Sequence, residues 1–367
     1  MSGPPHVRRP ATLASLAAEL GVSRTTVSNA YNRPDQLSAP LREKVLEAAR
    51  RLGYPGPDPV ARSLRTRRAG AVGLLLTEAL SYAFRDPVAT GFLEGLALAC
   101  ERAGQGLLLV PVSSEHADVA AVHQAGVDGF VVYSVSEDDP HFRAVLERPV
   151  PTVVCDQPVG VEGVDRVSVD DRQGMRALGD HLADLGHRRI GVVCMRLGTT
   201  RHDGLASIGR QEESTYPVQR ERIGGLRDAL TAVGVDWSQV PVVERYEHSP
   251  EAGASAAAEL LATHPEVTAI VCTSDVLAIG ALQYAAERDV DVPGRLTITG
   301  FDGVPEADRL GLTTVRQPVR RKGQVAGELL LDRGERNTPK QVVLPTELIV
   351  AATSGPAKRR EEFFSGW

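Results

Sequence analysis

Residues 12–29, TLASLAAELGVSRTTVSN, decide how the N-terminal part of this chain folds. Two helices can cross closely only where the residues at the crossing are small, and the turn between them needs a residue that tolerates positive φ. Ala17, Gly21 and Val27 supply the small residue, the turn and the apolar anchor in that order. The stretch therefore predicts a helix-turn-helix, with a helix hairpin inside some other α-domain as the alternative.

The surrounding sequence extends this pair to three short helices, predicted over residues 12–20, 23–31 and 39–52 and separated by Gly and Pro. The second helix exposes short polar side chains where a helix that only faces water more often has Glu and Lys. The candidate DNA contacts are Ser23, Arg24, Thr25, Ser28 and Asn29. Arg24 suits guanine and Asn29 suits adenine, with Thr25 between them, while Ser28 suits phosphate.

The charge of the chain is distributed unevenly. Residues 1–68 contain 12 basic and 5 acidic residues, whereas the remainder contains 29 basic and 42 acidic residues. A small basic head on an acidic body fits a polyanion-binding module joined to a domain that has no such need. A basic segment that only aids solubility is the alternative.

Several protein classes are disfavoured by what the sequence lacks. The four cysteines lie far apart inside apolar runs, which predicts reduced core residues and no metal site. We expect a cytoplasmic protein, because no segment resembles an export signal or a membrane span. An enzyme is disfavoured because GxSxG, Walker, HExxH and Cys-His motifs are lacking, and we expect no cofactor and no catalytic residues.

From Gly70 onward short apolar runs alternate with longer amphipathic stretches, which is typical of a parallel sheet with crossover helices. The predicted strands cover residues 71–76, 106–110, 129–133, 152–155, 189–194, 241–245, 269–273 and 296–300. The predicted helices cover residues 90–103, 172–185, 220–233, 250–263 and 275–288. We expect a doubly wound body of two lobes with a cleft at the carboxyl ends of its strands. Residues 197–219 are predicted to be a surface loop or insertion.

Three ordered motifs of the head, at residues 12–29, 44–54 and 61–64, resemble the lactose/galactose (LacI/GalR) repressor family, and the resemblance covers roughly residues 11–353. It implies an all-α helix-turn-helix head plus an α/β periplasmic-binding-protein-like body of two doubly wound parallel-sheet lobes joined by three crossovers. The expected divisions are a DNA-binding head at 1–57, a hinge helix and linker at 58–69, an effector-binding and dimerisation body at 70–355, and a disordered tail at 356–367.

The resemblance also implies that Val60 to Leu64 form a hinge helix that folds on DNA and lies in the minor groove. Leu64 would be the wedge that unstacks the central base step, with Arg62 as a further DNA contact. Two departures from the family pattern concern operator choice and hinge stiffness. Asn29 stands where many relatives have Arg, and Asp58 with Pro59 replaces the usual Asn and its apolar neighbour.

A polar ligand held between two lobes needs charged groups at strand ends. Asp302, Asp275 and Asp156 follow three predicted strands, and capping of the next helix is the alternative for the last two. Arg222 matches the effector-contacting arginine of the family. His248 stands where some relatives place a ring against the ligand, and Phe84, with Tyr82, is the nearest aromatic candidate.

These features together predict a repressor that binds double-stranded operator DNA as a homodimer or tetramer, each head occupying one half-site. Its operator affinity is expected to respond to a small polar effector, a sugar or sugar derivative, with a nucleoside or other polar metabolite left open. Induction and corepression are both thermodynamically allowed. The rival interpretation is a solute-binding protein or sensor that does not bind DNA.

Overall fold

The computed structural model describes residues 11–56, 63, 66–76, 80–110, 118–332 and 338–358, with only the backbone of Leu80 and Tyr82. Its contacts divide the chain between Ala69 and Gly70 into two compact units, here called the head and the body. Of the predicted hinge helix only Ser63 is described, so the expectations for Arg62 and Leu64 lie outside the described residues.

The head consists of three helices, α1 (Leu13–Leu20), α2 (Arg24–Asn32) and α3 (Ala39–Leu52). The Ser15 backbone N–H donates to the Thr12 hydroxyl at the start of α1, and the Thr26 N–H donates to the Ser23 hydroxyl at the start of α2. Gly21 ends α1 with φ of 63°, the left-handed conformation that the turn requires. The helix-turn-helix prediction is confirmed.

A small apolar core holds the three helices together. The α1–α2 crossing buries Ala17 to 4% exposure, as its small size allows. The fully enclosed positions recur at helical spacing on all three helices, so each helix contributes one apolar face. They are Leu16, Ala17, Val27, Ala30, Val45, Ala48 and Ala49.

The body is built on two sheets. Its described strands are β1 (Ala71–Leu76), β2 (Gly106–Val110), β3 (Gly129–Tyr133), β4 (Thr152–Cys155), β5 (Asp165–Val169), β6 (Ile190–Met195), β7 (Gly204–Leu205), β8 (Val242–Arg245), β9 (Ala269–Cys272), β10 (Thr297–Asp302), β11 (Thr313–Arg316), β12 (Gln341–Leu344) and β13 (Glu347–Ile349). The first lobe has the order β12-β5-β4-β3-β1-β2, and the second has the order β13-β11-β10-β9-β6-β8-β7. All neighbours run parallel except β13 beside β11 and β7 beside β8.

Helices cover the sheets of both lobes. They are α4 (Leu80–Ala83), α5 (Pro87–Arg102), α6 (Ala120–Gln124), α7 (Pro140–Leu146), α8 (Asp171–Asp184), α9 (Ile208–Glu212), α10 (Pro217–Ala232), α11 (Pro250–Thr263), α12 (Asp275–Glu287), α13 (Pro305–Leu310) and α14 (Val319–Leu331). Helix α8 packs in the second lobe and α14 packs in the first. The chain therefore crosses between lobes after β5, after β11 and between β12 and β13, which makes three crossovers.

Two predictions about irregular segments need correction. Residues 197–219 are not simply a surface loop, because they contain β7 and α9 and bury Leu197 in the second-lobe core. Gln211 in this segment accepts a hydrogen bond of 3.0 Å from the Trp237 indole. The body also extends past residue 355, since the Ala357 N–H donates to the Leu185 carbonyl, while residues 359–367 lie outside the described part.

All four cysteines are buried and unpaired, as predicted for core residues. Among the described residues no helix is long and apolar enough to cross a membrane. The same residues contain no group of His, Cys, Asp and Glu side chains arranged to hold a metal ion.

Candidate functional site

A cleft at the carboxyl ends of the strands separates the two lobes of the body and contains a partly open cavity of about 110 Å³. The first lobe supplies residues that follow β3 and β4, and the second supplies residues that follow β6, β8 and β10. This is the edge of a parallel sheet at which ligands bind in open α/β folds. The polar side chains lining the cleft are Asp86, Tyr133, Ser134, Asp156, Gln157, Arg196, Tyr216, Gln219, Arg222, His248, Asp302 and Gln317.

Arg222 lies at the centre of this cleft, on α10, and is only 5% exposed. Its Nε donates to Asp171 Oδ1 at 2.8 Å, and its Nη1 donates to the Thr273 carbonyl at 2.6 Å and to Asp302 Oδ1 at 3.1 Å. The guanidinium carbon also lies 3.7 Å from the centre of the Phe301 ring. These contacts leave the Nη2 amino group, which has two N–H donors, without a partner among the described residues.

Asp302 ends β10 with φ of 123°, a conformation that side chains other than glycine rarely adopt. Its Oδ1 accepts from Arg222 and, at 2.7 Å, from Gln317 Nε2. Burial raises the pKa of Asp302, while Arg222 opposes that change. Oδ2 accepts no hydrogen bond from a described residue and is therefore available to a ligand.

A chain of buried hydrogen bonds continues from Asp302 into the first lobe. Gln317 Oε1 accepts from Lys322 Nζ at 2.7 Å, and the same ammonium donates to Asp156 Oδ2 at 2.6 Å. Asp171, Arg222, Asp302, Gln317, Lys322 and Asp156 are consequently linked in series; we call this set the interlobe network. It connects the ends of strands in both lobes through groups that are each less than 9% exposed.

Asp156 has an oxygen that the network does not use. The residue follows β4 with φ of 64° and is 7% exposed. Its Oδ1 is buried and has no hydrogen-bond partner in the described structure. An unpaired buried acceptor is unfavourable by about 1–3 kcal/mol. A donor supplied by a ligand would remove this cost.

The lobes also meet at the rim of the cleft. The Val218 N–H donates to Gln157 Oε1 at 3.1 Å, and the Glu137 N–H donates to the Thr215 carbonyl at 3.4 Å. Each of these bonds joins one residue of each lobe. The structure therefore corresponds to an arrangement in which the two lobes are in contact across the cleft.

Two other ionisable groups of the cleft are shaped by burial. His248 shares a hydrogen bond of 2.9 Å with the Ser274 hydroxyl, and burial lowers its pKa to about 4, so it is neutral at neutral pH. Asp86 caps α5 by accepting from the Val88 N–H at 2.9 Å. Burial raises the pKa of Asp86, and that backbone hydrogen bond opposes the change.

The structure brings together four of the six residues predicted to bind the effector: Asp302, Arg222, Asp156 and His248 all line the cleft. The other two do not. Asp275 is fully buried behind it, accepting from the Thr314 hydroxyl at 2.6 Å and the Val304 N–H at 2.8 Å. Asp275 therefore has a structural role, but it does not cap the next helix as the alternative supposed, because Ser274 is the N-cap of α12. Phe84 is 63% exposed and does not line the cleft, because its segment directs Ala83 inward instead.

Sequence reasoning missed the groups that connect the lobes. Gln317 has no signal of its own in the sequence, although its place between β11 and α14 puts it at a crossover. Lys322 had a detectable signal, because it lies in helical phase with the buried Val325, Ala326 and Leu330. A lysine on an apolar helix face indicates a buried partner of opposite charge.

The predicted DNA contacts lie on α2 with graded exposure. Ser23, Arg24 and Thr25 are exposed, while Ser28 and Asn29 are half-buried. The Ser23 hydroxyl is occupied as the cap of α2. Asn29 Nδ2 donates to Gln36 Oε1 at 3.2 Å, which identifies Gln36 as a positioning partner that the sequence had not indicated.

Comparison with known proteins identifies the family. The periplasmic binding protein-like domain profile matches residues 179–354. An HTH-type transcriptional regulator of Mycobacterium tuberculosis, Rv3575c, is 56% identical over 96% of this chain and 99% of its own length. The crystal structure of a LacI-family regulator from Corynebacterium glutamicum is 40% identical and superposes with a TM-score of 0.73, covering 94% of this chain and 99% of that one.

A second similar structure is a complex of the regulator CelR with cellobiose. It is 29% identical, has a TM-score of 0.68 and covers 94% of this chain and 100% of its own. The identity and coverage of these relatives, together with the helix-turn-helix head and the two-lobed body, show that the chain belongs to the LacI family of helix-turn-helix transcriptional regulators.

Proposed function

We propose that this regulator is a repressor whose operator affinity falls when a small polar effector, a sugar or sugar derivative, occupies the cleft. The observation that carries the proposal is the interlobe network, because it places charged groups of both lobes around one cleft. A ligand that contacts Asp156 of the first lobe and Asp302 of the second has a different affinity for different lobe arrangements. Such differential affinity is what an effector needs to shift a conformational equilibrium.

The chemistry of the cleft supports a hydroxylated ligand. Arg222 Nη2 offers a donor and Asp302 Oδ2 offers an acceptor beside it, an arrangement that suits neighbouring hydroxyl groups. The rings of Tyr133 and Tyr216 line the same space and supply apolar surface. The related CelR structure is a complex with cellobiose, which supports the same class of ligand.

The head supports sequence-specific binding to double-stranded DNA. Arg24 and Thr25 are exposed at the start of α2, the end of a recognition helix that enters the major groove, and Asn29 lies one turn further along. We assign base contacts to Arg24, Thr25 and Asn29 and a phosphate contact to Ser28. Arg62 and Leu64 are assigned to the minor groove on the basis of the family motif.

One such head covers too little DNA for useful specificity, so we propose a dimer on two half-sites. Effector binding would change the orientation of the lobes and destabilise the hinge helices that contact DNA. Corepression obeys the same linkage with the opposite sign. The direction is decided by whether effector raises or lowers operator affinity.

The experiment is fluorescence anisotropy with a labelled fragment from the promoter beside the gene, titrated with protein at several salt concentrations. We expect a steep loss of affinity with salt, because phosphate contacts release counterions. Asp302→Ala should retain DNA binding and lose the effector response. Asp308→Ala is the matched control, because it removes an exposed carboxylate of the second lobe, one that pairs with Arg316 on the surface. A response that survives in Asp302→Ala contradicts the site.

A further inference from the structure

Lys322 is the least expected charged group of the cleft. Its side chain is 1% exposed, and its ammonium lies between Asp156 Oδ2 and Gln317 Oε1 at 2.6 and 2.7 Å. A buried charge is tolerated only when it is well paired. Here the pairing consumes one oxygen of Asp156 and leaves the other, Oδ1, buried and without a partner.

Two carboxylate oxygens, one in each lobe, consequently have no hydrogen-bond donor among the described residues. They are Asp156 Oδ1 in the first lobe and Asp302 Oδ2 in the second. An ionised carboxylate can only accept hydrogen bonds, so a ligand that satisfies both must itself donate at two positions. A hydroxyl group can do this at each end without bringing a charge into the cleft.

Two cations at the cleft, Arg222 and Lys322, already form ion pairs with carboxylates of the protein. Arg222 is paired with Asp171 and Asp302, and Lys322 is paired with Asp156. The third cation, Arg196, lies 5.5 Å from the Tyr216 ring centre and 5.4 Å from that of Tyr246. A phosphate or carboxylate would thus enter a space lined by Asp86, Asp156 and Asp302, in which Arg222 and Lys322 are already paired with carboxylates. Burying such an imperfectly compensated charge is costly.

We propose that Lys322 sets the ligand class of the cleft: by binding Asp156 Oδ2 it fixes Oδ1 as a pure acceptor, so that the effector is an uncharged compound with hydroxyl donors for Asp156 and Asp302. The inference rests on the proposed function, because it concerns the same effector cleft. It adds a restriction that the proposed function lacks, namely the exclusion of phosphorylated and acidic sugars. Lys322 acts as a positioning residue and does not line the cleft itself.

The first test is a thermal-shift and calorimetry screen of the full chain against two matched arms. One arm contains aldoses, disaccharides and linear and cyclic polyols, and the other contains the phosphate esters and uronic acids of the same compounds. We expect stabilisation in the uncharged arm and at least about tenfold weaker binding for each charged counterpart, since binding only to the native state raises its stability. Binding confined to the charged arm overturns the inference and leaves the repressor proposal standing. If no compound in either arm stabilises or binds the protein, both the proposed sugar effector and this inference are wrong.

The second test examines the donor at Asp156. Mono-O-methyl ethers of the uncharged compound that binds lose one hydroxyl donor each, and one of them should bind about tenfold more weakly to the wild-type protein, because an accepting carboxylate is left unpaired. In Asp156→Asn this discrimination should shrink, since an amide can donate to the ether oxygen. Discrimination that is unchanged in Asp156→Asn overturns the assignment. The ratio of the affinities for the ether and for its parent compound is insensitive to a purely structural defect, because such a defect would weaken both alike.

The third test concerns Lys322 directly. Lys322→Met leaves Asp156 without its cation. It should weaken binding of the uncharged ligand about tenfold or more, because removing one partner of a buried ion pair leaves the other charge buried and unpaired. Lys322→Met with Asp156→Asn contains no stranded charge and should recover part of that loss even if the single variant folds poorly. Arg321→Met, which removes a half-exposed cation from the adjacent position of α14, should bind as the wild type does. Wild-type affinity in Lys322→Met overturns the role of Lys322.

Discussion

Replacing Arg222 by methionine tests whether the interlobe network is an electrostatic unit. Arg222 makes three hydrogen bonds of 2.6–3.1 Å and is the only group that contacts both Asp171 and Asp302 among the described residues. Methionine matches much of its length and is apolar, so the packing against Phe301 is largely kept. The change therefore leaves two buried carboxyl groups without their shared cation.

The size of the effect follows from this geometry. Breaking a buried ion pair by removing one partner costs about 3–5 kcal/mol. The cost depends on pH, because the stranded carboxyl groups can take up protons. Burial already raises the pKa of Asp171 to about 6, with Arg222 as the largest opposing influence.

The direction in which stability changes with pH follows from the linkage between proton binding and folding. A carboxyl group whose pKa is raised in the folded state binds protons more tightly there than in the unfolded chain, so its contribution to stability decreases as pH rises from about 4 to about 6. Removing Arg222 raises the folded-state pKa of Asp171 and Asp302 further and extends this window upward. We therefore expect the variant to be close to wild type at pH 5 and destabilised by about 3–5 kcal/mol at pH 8.

Urea unfolding at pH 5 and pH 8 measures the difference. The fluorescence of Trp237, buried in the body, reports on the relevant domain, and Trp367→Phe removes the only other tryptophan. At pH 8 the midpoint should fall by about 1–2 M urea. Arg227→Met on the same helix is the control, since its partly exposed pair with Glu212 should contribute less than about 1 kcal/mol. Equal losses at both pH values, or a loss below 1 kcal/mol at pH 8, refute the reasoning.

Further expectations concern the head and the residue that the structure removes from the site. Arg24→Ala should lower operator discrimination by about 1–3 kcal/mol in anisotropy titrations, whereas Arg50→Ala, which removes an exposed cation of the head, should leave that discrimination unchanged; an equal loss of discrimination in both variants would contradict base contact by Arg24. Gly21→Ala should destabilise the head by about 1–2 kcal/mol in thermal circular dichroism, from backbone strain alone, since a Cβ there meets no atom within 4 Å. Asp275→Asn should cost about 1–3 kcal/mol of stability while preserving the effector response, and a lost response in a folded variant would return Asp275 to the site.

The parts of the fold that sequence reasoning predicted are those whose signal is local. The head follows from the spacing of Ala17, Gly21 and Val27, and the central strands follow from continuous apolar runs that are buried on both faces. The strands that were missed have mixed sequences. β5 contains Asp165, whose buried carboxylate accepts from the Lys340 N–H at 2.6 Å, and β12 at the sheet edge leaves Val343 59% exposed. β12 pairs with β5, which is distant in sequence, but β5 also pairs with the preceding strand β4. It is the mixed composition of these strands that prevents periodicity from identifying them.

The candidate site was only partly predictable for a related reason. Carboxyl ends of parallel strands meet at one edge, so Asp156 and Asp302 could be placed together from strand order. Asp275 has the same sequence context but a different backbone. It begins α12 directly after its cap, whereas Asp302 ends its strand at φ of 123° and precedes α13 by a short loop. That difference in backbone conformation, which directs one carboxylate into the cleft and the other away from it, has no local sequence signal.

If the cleft binds the proposed effector, the position of the network relative to the crossovers provides a route by which that ligand would act at a distance. Asp171 follows the first crossover and Gln317 lies within the second, so both are attached to the segments about which the lobes can rotate. Asp156 and Lys322 belong to one lobe, and Arg222 and Asp302 belong to the other. A rotation cannot preserve every bond of 2.6–3.1 Å in a series that passes through these segments. Because packed cores are not continuously deformable, such a series favours discrete lobe arrangements, and under the proposed function a ligand that donates to Asp156 and Asp302 would select between them.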